Sequence, residues 1–253
     1  MAYSLDLKNT EDFNSLVKVK PLYTSGIPIG IIAVNLIYPK LPGNVANAST
    51  FRFPVLYEIV DFEIEELFRG DEKIKQQIIE AARKLEAQGV RAIVGACGFF
   101  AHFQKDVREA VNVPVFMSSL CQIPIISTGL KEGKKIAVIA ADGKSITNRL
   151  LEKVGATNSR LVVFNVGDWE SFSPIRYGKT ELDNGALTRD LENLAKDIAE
   201  NHREIGAILL ECSDLPPYAY NIQRVSGLPV YDFISLINWV EHSVEQRPYY
   251  GII

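Results

Sequence analysis

Two stretches of the chain repeat one order of residues, and each closes an apolar run on a cysteine. The first reads Ala92-Ile93-Val94-Gly95-Ala96-Cys97 and continues to Val113-Pro114-Val115-Phe116. The second reads Ala207-Ile208-Leu209-Leu210-Glu211-Cys212 and continues to Leu228-Pro229-Val230-Tyr231. Ala92 and Ala207 each stand five residues before their cysteine, and Pro114 and Pro229 each stand 17 after it. The echo extends upstream, where Gly26-Ile27-Pro28-Ile29-Gly30-Ile31-Ile32-Ala33 matches Gly133-Lys134-Lys135-Ile136-Ala137-Val138-Ile139-Ala140. That glycine precedes its cysteine by 71 residues in one half and 79 in the other, so loop lengths differ while the order of elements does not. A repeat this long is not a solenoid unit. It describes two α/β lobes related by an approximate twofold axis, with one thiol from each facing a shared cleft.

Apolar, β-branched runs alternate with longer amphipathic stretches, the pattern of buried parallel strands with crossover helices. Strands are expected at Pro28–Asn35, Ala92–Ala96, Val113–Met117, Lys135–Ala140, Arg160–Phe164, Ala207–Glu211 and Pro229–Phe233. Helices are expected at Glu72–Gln88, Phe100–Val111, Ser145–Val154, Ala186–His202, Pro217–Val225 and Ile234–Glu245. Ile74, Ile78, Ala81 and Leu85 recur at spacings of three and four, one face of a helix packed on a sheet. The predicted lobes are residues 1–117 with 229–253, and residues 118–228. Tyr38–Pro54, with Pro39, Pro42, Gly43, Asn44 and Asn47, reads as a long polar loop after the first strand, a common seat of function.

The bulk composition narrows the classes. A net charge of −4 gives no basic footprint for nucleic acid. The stretch Met1–Lys18 is polar and unlike a secretion signal, and the longest apolar run, Ile27–Tyr38, falls short of a membrane span. Three widely spaced cysteines argue against a disulfide framework and for free thiols in a reducing cytoplasm. His202 and His242 lack partners at metal-ligand spacing, and no dinucleotide or phosphate-loop fingerprint occurs, so neither a metal nor a cofactor is expected.

Cys97 and Cys212 each stand where a strand ends and a helix begins, the position at which open α/β sheets bind ligands. A helix N-terminus favours a thiolate, so one thiolate could take a proton from a carbon acid while the opposite thiol returns one to the other face. Backbone amides at the helix starts and the hydroxyls of Ser118, Ser119 and Ser213 are candidates to hold the substrate carboxylate, with Gly98 and Asn47 beside them. Asp214 either orients a thiol or acts as a base, or else it caps the next helix. His102 reads as a helix-surface histidine within reach of the cleft, and Cys121 as core filler.

These residues resemble the aspartate/glutamate racemase superfamily, which includes hydantoin racemases, maleate isomerases and arylmalonate decarboxylases. The resemblance runs from Pro28 to about Val240 and rests on the strand–Cys–helix setting around Cys97 and Cys212. It implies two flavodoxin-like lobes with parallel sheets, related by a pseudo-twofold axis and closing over the substrate. It also implies cofactor-independent proton transfer by the cysteine pair, a small-molecule carboxylate substrate and a homodimer. Ser213 stands where the family usually has threonine. The family's Asn and Thr or Ser after the first cysteine are replaced by Gly98 and Phe99, which predicts a smaller, more apolar wall there. The expected activity is racemisation or epimerisation of a small amino acid or related carbon acid. The alternatives are hydantoin racemisation, and cysteine-dependent isomerisation or decarboxylation of a dicarboxylate. A binding protein that has kept the cleft is a third possibility.

Overall fold

The computed structural model describes residues 24–246 together with Leu22 and Tyr249. The stretch Met1–Lys18, read above as no secretion signal, lies outside the described residues. The first half contains β1 (Ile29–Val34), β2 (Val55–Val60), α1 (Ile64–Arg69), α2 (Lys75–Ala87), β3 (Ala92–Gly95), α3 (Gln104–Ala110) and β4 (Val115–Phe116). The second contains α4 (Ile123–Gly129), β5 (Lys135–Ala140), α5 (Asn148–Lys153), β6 (Leu161–Asn165), α6 (Ser173–Arg176), α7 (Asn184–Asn201), β7 (Ile205–Leu210), α8 (Ala219–Ser226) and β8 (Val230–Tyr231). The helix α9 (Phe233–Val244) follows.

Two four-stranded parallel sheets result, ordered β2-β1-β3-β4 and β6-β5-β7-β8, so the second repeats the first strand for strand. The repeat reaches the register: Ile29 pairs with Ala92 in one sheet, and their counterparts Ile136 and Ala207 pair in the other. The central strands β1, β3, β5 and β7 are almost wholly buried, as parallel strands covered on both faces must be. Ile78, Ala81, Ala82 and Leu85 turn the face of α2 into the core with Ile32 and Ile93. Leu187, Leu191, Ala195 and Ile198 do the same for α7.

α9 returns to the first lobe. Phe233, Leu236, Ile237 and Val240 pack beneath Ile29, Ile31, Ala92 and Val94. Asp232 starts the helix with a reciprocal capping box with Ser235. Because β8 pairs with β7, residues 230–231 complete the second sheet, and the crossing into the first lobe falls at Asp232 instead of at Pro229.

Three helices and one strand were not expected from sequence. β2 is an edge strand, exposed enough that Ile59 is open to solvent, and its residues lack clean alternation. α1, α4 and α6 are only four to seven residues long, too short to show a helical period. Among the described residues no helix is long and apolar enough to cross a membrane.

Candidate active site

β3 and β7 deliver the two cysteines to the same place. Each strand ends two residues before its cysteine, and both Cys97 and Cys212 line one pocket between the lobes. Cys97 is extended and opens the tight turn Gly98–Phe103 that leads into α3. Cys212 is followed by the Ser213–Asp214 loop that leads to α8.

The long loop after β1 closes the pocket from the other side, as its length and polarity suggested. It supplies Tyr38 and Lys40 to the wall and is clamped onto the Cys212 loop by Asn44. Asn44 is almost fully buried; its Nδ2 donates to Asp214 Oδ1 at 2.5 Å, and its Oδ1 accepts from Ala46 N at 2.7 Å. Val45 N donates to Ser213 O at 3.2 Å, a second tie across the cleft. Tyr38 also donates to Asp214 Oδ1.

Asp214 is therefore the hub of the site. Cys212 Sγ donates to its Oδ2 at 3.2 Å while Tyr38 and Asn44 donate to its other oxygen. Donors on both oxygens are the setting of an ionised carboxylate, although burial pushes its pKa up. Of the readings open for Asp214, a partner to the thiol, orienting it or acting as its base, is the one its side chain is placed for. The carboxyl makes no bond to the next turn, which starts at Pro216 with no side-chain cap.

Burial works against ionisation of both thiols. Burial pushes Cys97 up most, followed by the Glu211 and Asp214 carboxyls; for Cys212 burial again leads, then Asp214 and Glu211. This corrects the expectation of thiolates favoured by helix starts. One backbone amide assists each sulfur, from Phe99 and from Asp214, and desolvation with neighbouring negative charge outweighs it.

Glu211, given no role from sequence, is fully buried just after β7. Ala141 N donates to its Oε2 at 3.3 Å, its Oε1 has no partner, and burial lifts its pKa to about 8. It explains Gly98. A Cβ on Gly98 would stand 1.9 Å from Glu211 Oε1, so the space left by the missing side chain holds a carboxyl from the other lobe. Neither Gly98 nor Glu211 lines the pocket, so the smaller, apolar wall expected from Gly98 and Phe99 is not part of it. The signal was present: one acidic residue closing the apolar run Ile205–Leu210.

The remaining expected binders divide. Ser213 lines the pocket, its Oγ donating across the lobes to Ala96 O at 2.9 Å. Gly98, Ser118, Ser119 and Asn47 are not among the lining residues. Ser118 caps the turn at Leu120, and Ser119 ties the lobes by donating to Leu210 O at 3.0 Å. Asn47 faces its own loop, accepting from Ser49 N and donating to Lys40 O, each at 2.9 Å. His102 contacts Phe68 O at 3.2 Å and lies outside the pocket. Cys121 also lies away from it, its thiol pushed to about 11 by burial.

Sequence reasoning missed Arg176, which reaches the pocket from α6. Its Nη2 donates to Glu65 Oε1 of the first lobe at 3.2 Å, its Nη1 to Ala141 O at 3.3 Å, and its Nε is buried without a partner. No group of metal-ligating side chains occurs among the described residues.

Two lobes of matching parallel topology with the site in the cleft between them define a class of duplicated α/β enzyme folds. The chain belongs to the Asp/Glu/hydantoin racemase family, whose profile matches residues 61–239. It is 32% identical over 236 residues to dimethylsulfoniopropionate lyase 3 of Emiliania huxleyi, covering 88% of this chain and 61% of that protein. It is 31% identical over 233 residues to a dimethylsulfoniopropionate lyase of Durusdinium sp. clade D, covering 88% and 77%. The chain thus spans under two thirds of the length of the first of these. Its fold matches a glutamate racemase of Bacillus anthracis with a TM-score of 0.54 at 16% identity, over 86% of this chain and 82% of that one.

Proposed function

We propose that the protein is a lyase that removes the α-proton of a small carboxylate and expels its β-substituent, with dimethylsulfoniopropionate the substrate to test first. The observation that carries this is the hydrogen bond from Cys212 to Asp214 in a pocket that Cys97 also lines. The names of the two lyases support elimination over racemisation.

The chemistry follows from the charges. Cys212 passes its proton to Asp214, and the thiolate takes a proton from the carbon next to the substrate carboxylate. The electron pair left behind forms the carbon–carbon double bond as the β-carbon–sulfur bond breaks. The sulfur leaves with the bonding pair, and the products are acrylate, dimethyl sulfide and one proton. A sulfonium cation suits this site: Phe172 presents aromatic surface, and Asp214 supplies negative charge. Its positive charge also offsets the carboxylates that hold the thiols protonated.

Racemisation is the second reading, favoured by Cys97, since it needs an acid opposite the base while elimination needs only the base. Proton NMR in heavy water separates the two. Elimination gives acrylate and dimethyl sulfide from dimethylsulfoniopropionate; racemisation gives α-deuteration of an amino acid or hydantoin without cleavage. Absence of cleavage, with deuteration of an amino acid, would replace the first reading by the second.

A further inference from the structure

We propose that Arg176 is the anchor for the substrate carboxylate, in place of the polar residues that Gly98 and Phe99 displace after the first cysteine. The inference rests on the reading of the substrate as a small carboxylate, but not on which bond the enzyme breaks.

Four observations converge on this arginine. It lines the pocket that holds both thiols. Only 12% of its side chain is exposed, and its Nε is buried with no acceptor. A buried N–H without a partner is costly, and it leaves the guanidinium one hydrogen bond short of its full set. The side chain is also held in place beforehand. Nη1 donates to Ala141 O and lies 3.8 Å from Asp168 Oδ1, Nη2 donates to Glu65, and the guanidinium lies 5.4 Å over the Phe68 ring. Gly167 makes this seating possible, because a Cβ there would stand 1.7 Å from Ala141 O and 2.7 Å from Nη1.

The other cation in the pocket is Lys40. Lys40 Nζ donates to Leu36 O at 2.7 Å and lies 4.0 Å over the Tyr38 ring. The Ala141 peptide joins the two polar features missed from sequence, its N–H on Glu211 and its C=O on Arg176. A carboxylate on Arg176 would share one pocket with both thiols.

The test uses the purified full chain and propionate as the probe, with propionamide as its neutral counterpart. Protection of Cys97 and Cys212 from iodoacetamide is read by mass spectrometry for wild type, Arg176→Gln, Arg176→Lys and Lys40→Met, each checked for folding by circular dichroism. Propionate should protect wild type and Lys40→Met, and propionamide should protect neither. Arg176→Gln should weaken propionate protection about 10- to 100-fold, the scale of a charge-assisted hydrogen bond, and Arg176→Lys should weaken it less. Methylguanidinium added to Arg176→Gln should restore part of it, which a purely structural bridge to Glu65 would not predict. Equal protection of wild type and Arg176→Gln, or none of wild type, overturns the proposal. If protection depends on Arg176 while dimethylsulfoniopropionate is not cleaved, the anchor stands and the lyase reading falls. If cleavage proceeds with an unchanged KM in Arg176→Gln, the lyase reading stands and the anchor falls.

Discussion

Asp214→Asn should make Cys212 more reactive and the enzyme slower, two effects of opposite sign from one substitution. The carboxylate oxygen lies 3.2 Å from the Cys212 sulfur. At that distance two unit charges repel by about 5 kcal/mol for an effective dielectric constant of roughly 20, an upper scale for what the carboxylate costs a thiolate. The hydrogen bond from the thiol to the carboxylate works in the same direction, since it stabilises the protonated form. Asparagine removes the charge, keeps the shape, and still offers an oxygen to Tyr38 and Asn44. The Cys212 pKa should therefore fall, and alkylation by iodoacetamide at neutral pH should speed up about tenfold or more. Turnover should fall about 10²- to 10⁴-fold, because the group that receives the thiol's proton is gone. Alkylation followed by mass spectrometry and headspace assay of product on the same preparation read both effects. Unchanged turnover with unchanged alkylation would refute the account of Asp214 as the partner base.

Two further perturbations concern Glu211. Its carboxyl titrates at about 8 in the fold and at about 4.3 in an unfolded chain, so the native state binds the extra proton between those values. Its contribution to stability is then complete at acid pH and lost as pH rises toward 8, at up to about 1.4 kcal/mol per pH unit. Glu211→Gln should flatten the dependence of Tm on pH across that window, and an unaltered slope would count against a protonated Glu211. Gly98→Ala should destabilise by about 1–3 kcal/mol, since its Cβ would meet Glu211 Oε1 at 1.9 Å. Combining it with Glu211→Ala should cost less than the sum of the two single changes in a denaturation cycle, and strict additivity would show that the carboxyl does not fill that space.

The duplicated fold was legible because the repeat carries register as well as composition. Ile29 with Ala92 and Ile136 with Ala207 are matched in sequence and paired in the sheets. The cysteines were legible for the same reason, since each follows a buried strand whose end faces the cleft. What escaped was whatever depends on one lobe reaching the other. Tyr38 and Asn44 become site residues only when the loop after β1 folds onto Asp214, and Arg176 only when α6 approaches Glu65. The thiol pKa direction was misjudged because a helix start is visible in sequence while the depth of burial and the carboxylates around it are not. Ser119 and Asn47 looked like binders because their polarity was legible and their partners, Leu210 O and Lys40 O, were not.

The central claim is that a thiol paired with Asp214 removes the α-proton of a small carboxylate. Headspace measurement of dimethyl sulfide released from dimethylsulfoniopropionate by wild type, Cys97→Ser and Cys212→Ser tests it most directly. The account predicts release by wild type, loss of at least about 10²-fold in Cys212→Ser, and a smaller loss in Cys97→Ser. Full release by Cys212→Ser would contradict it.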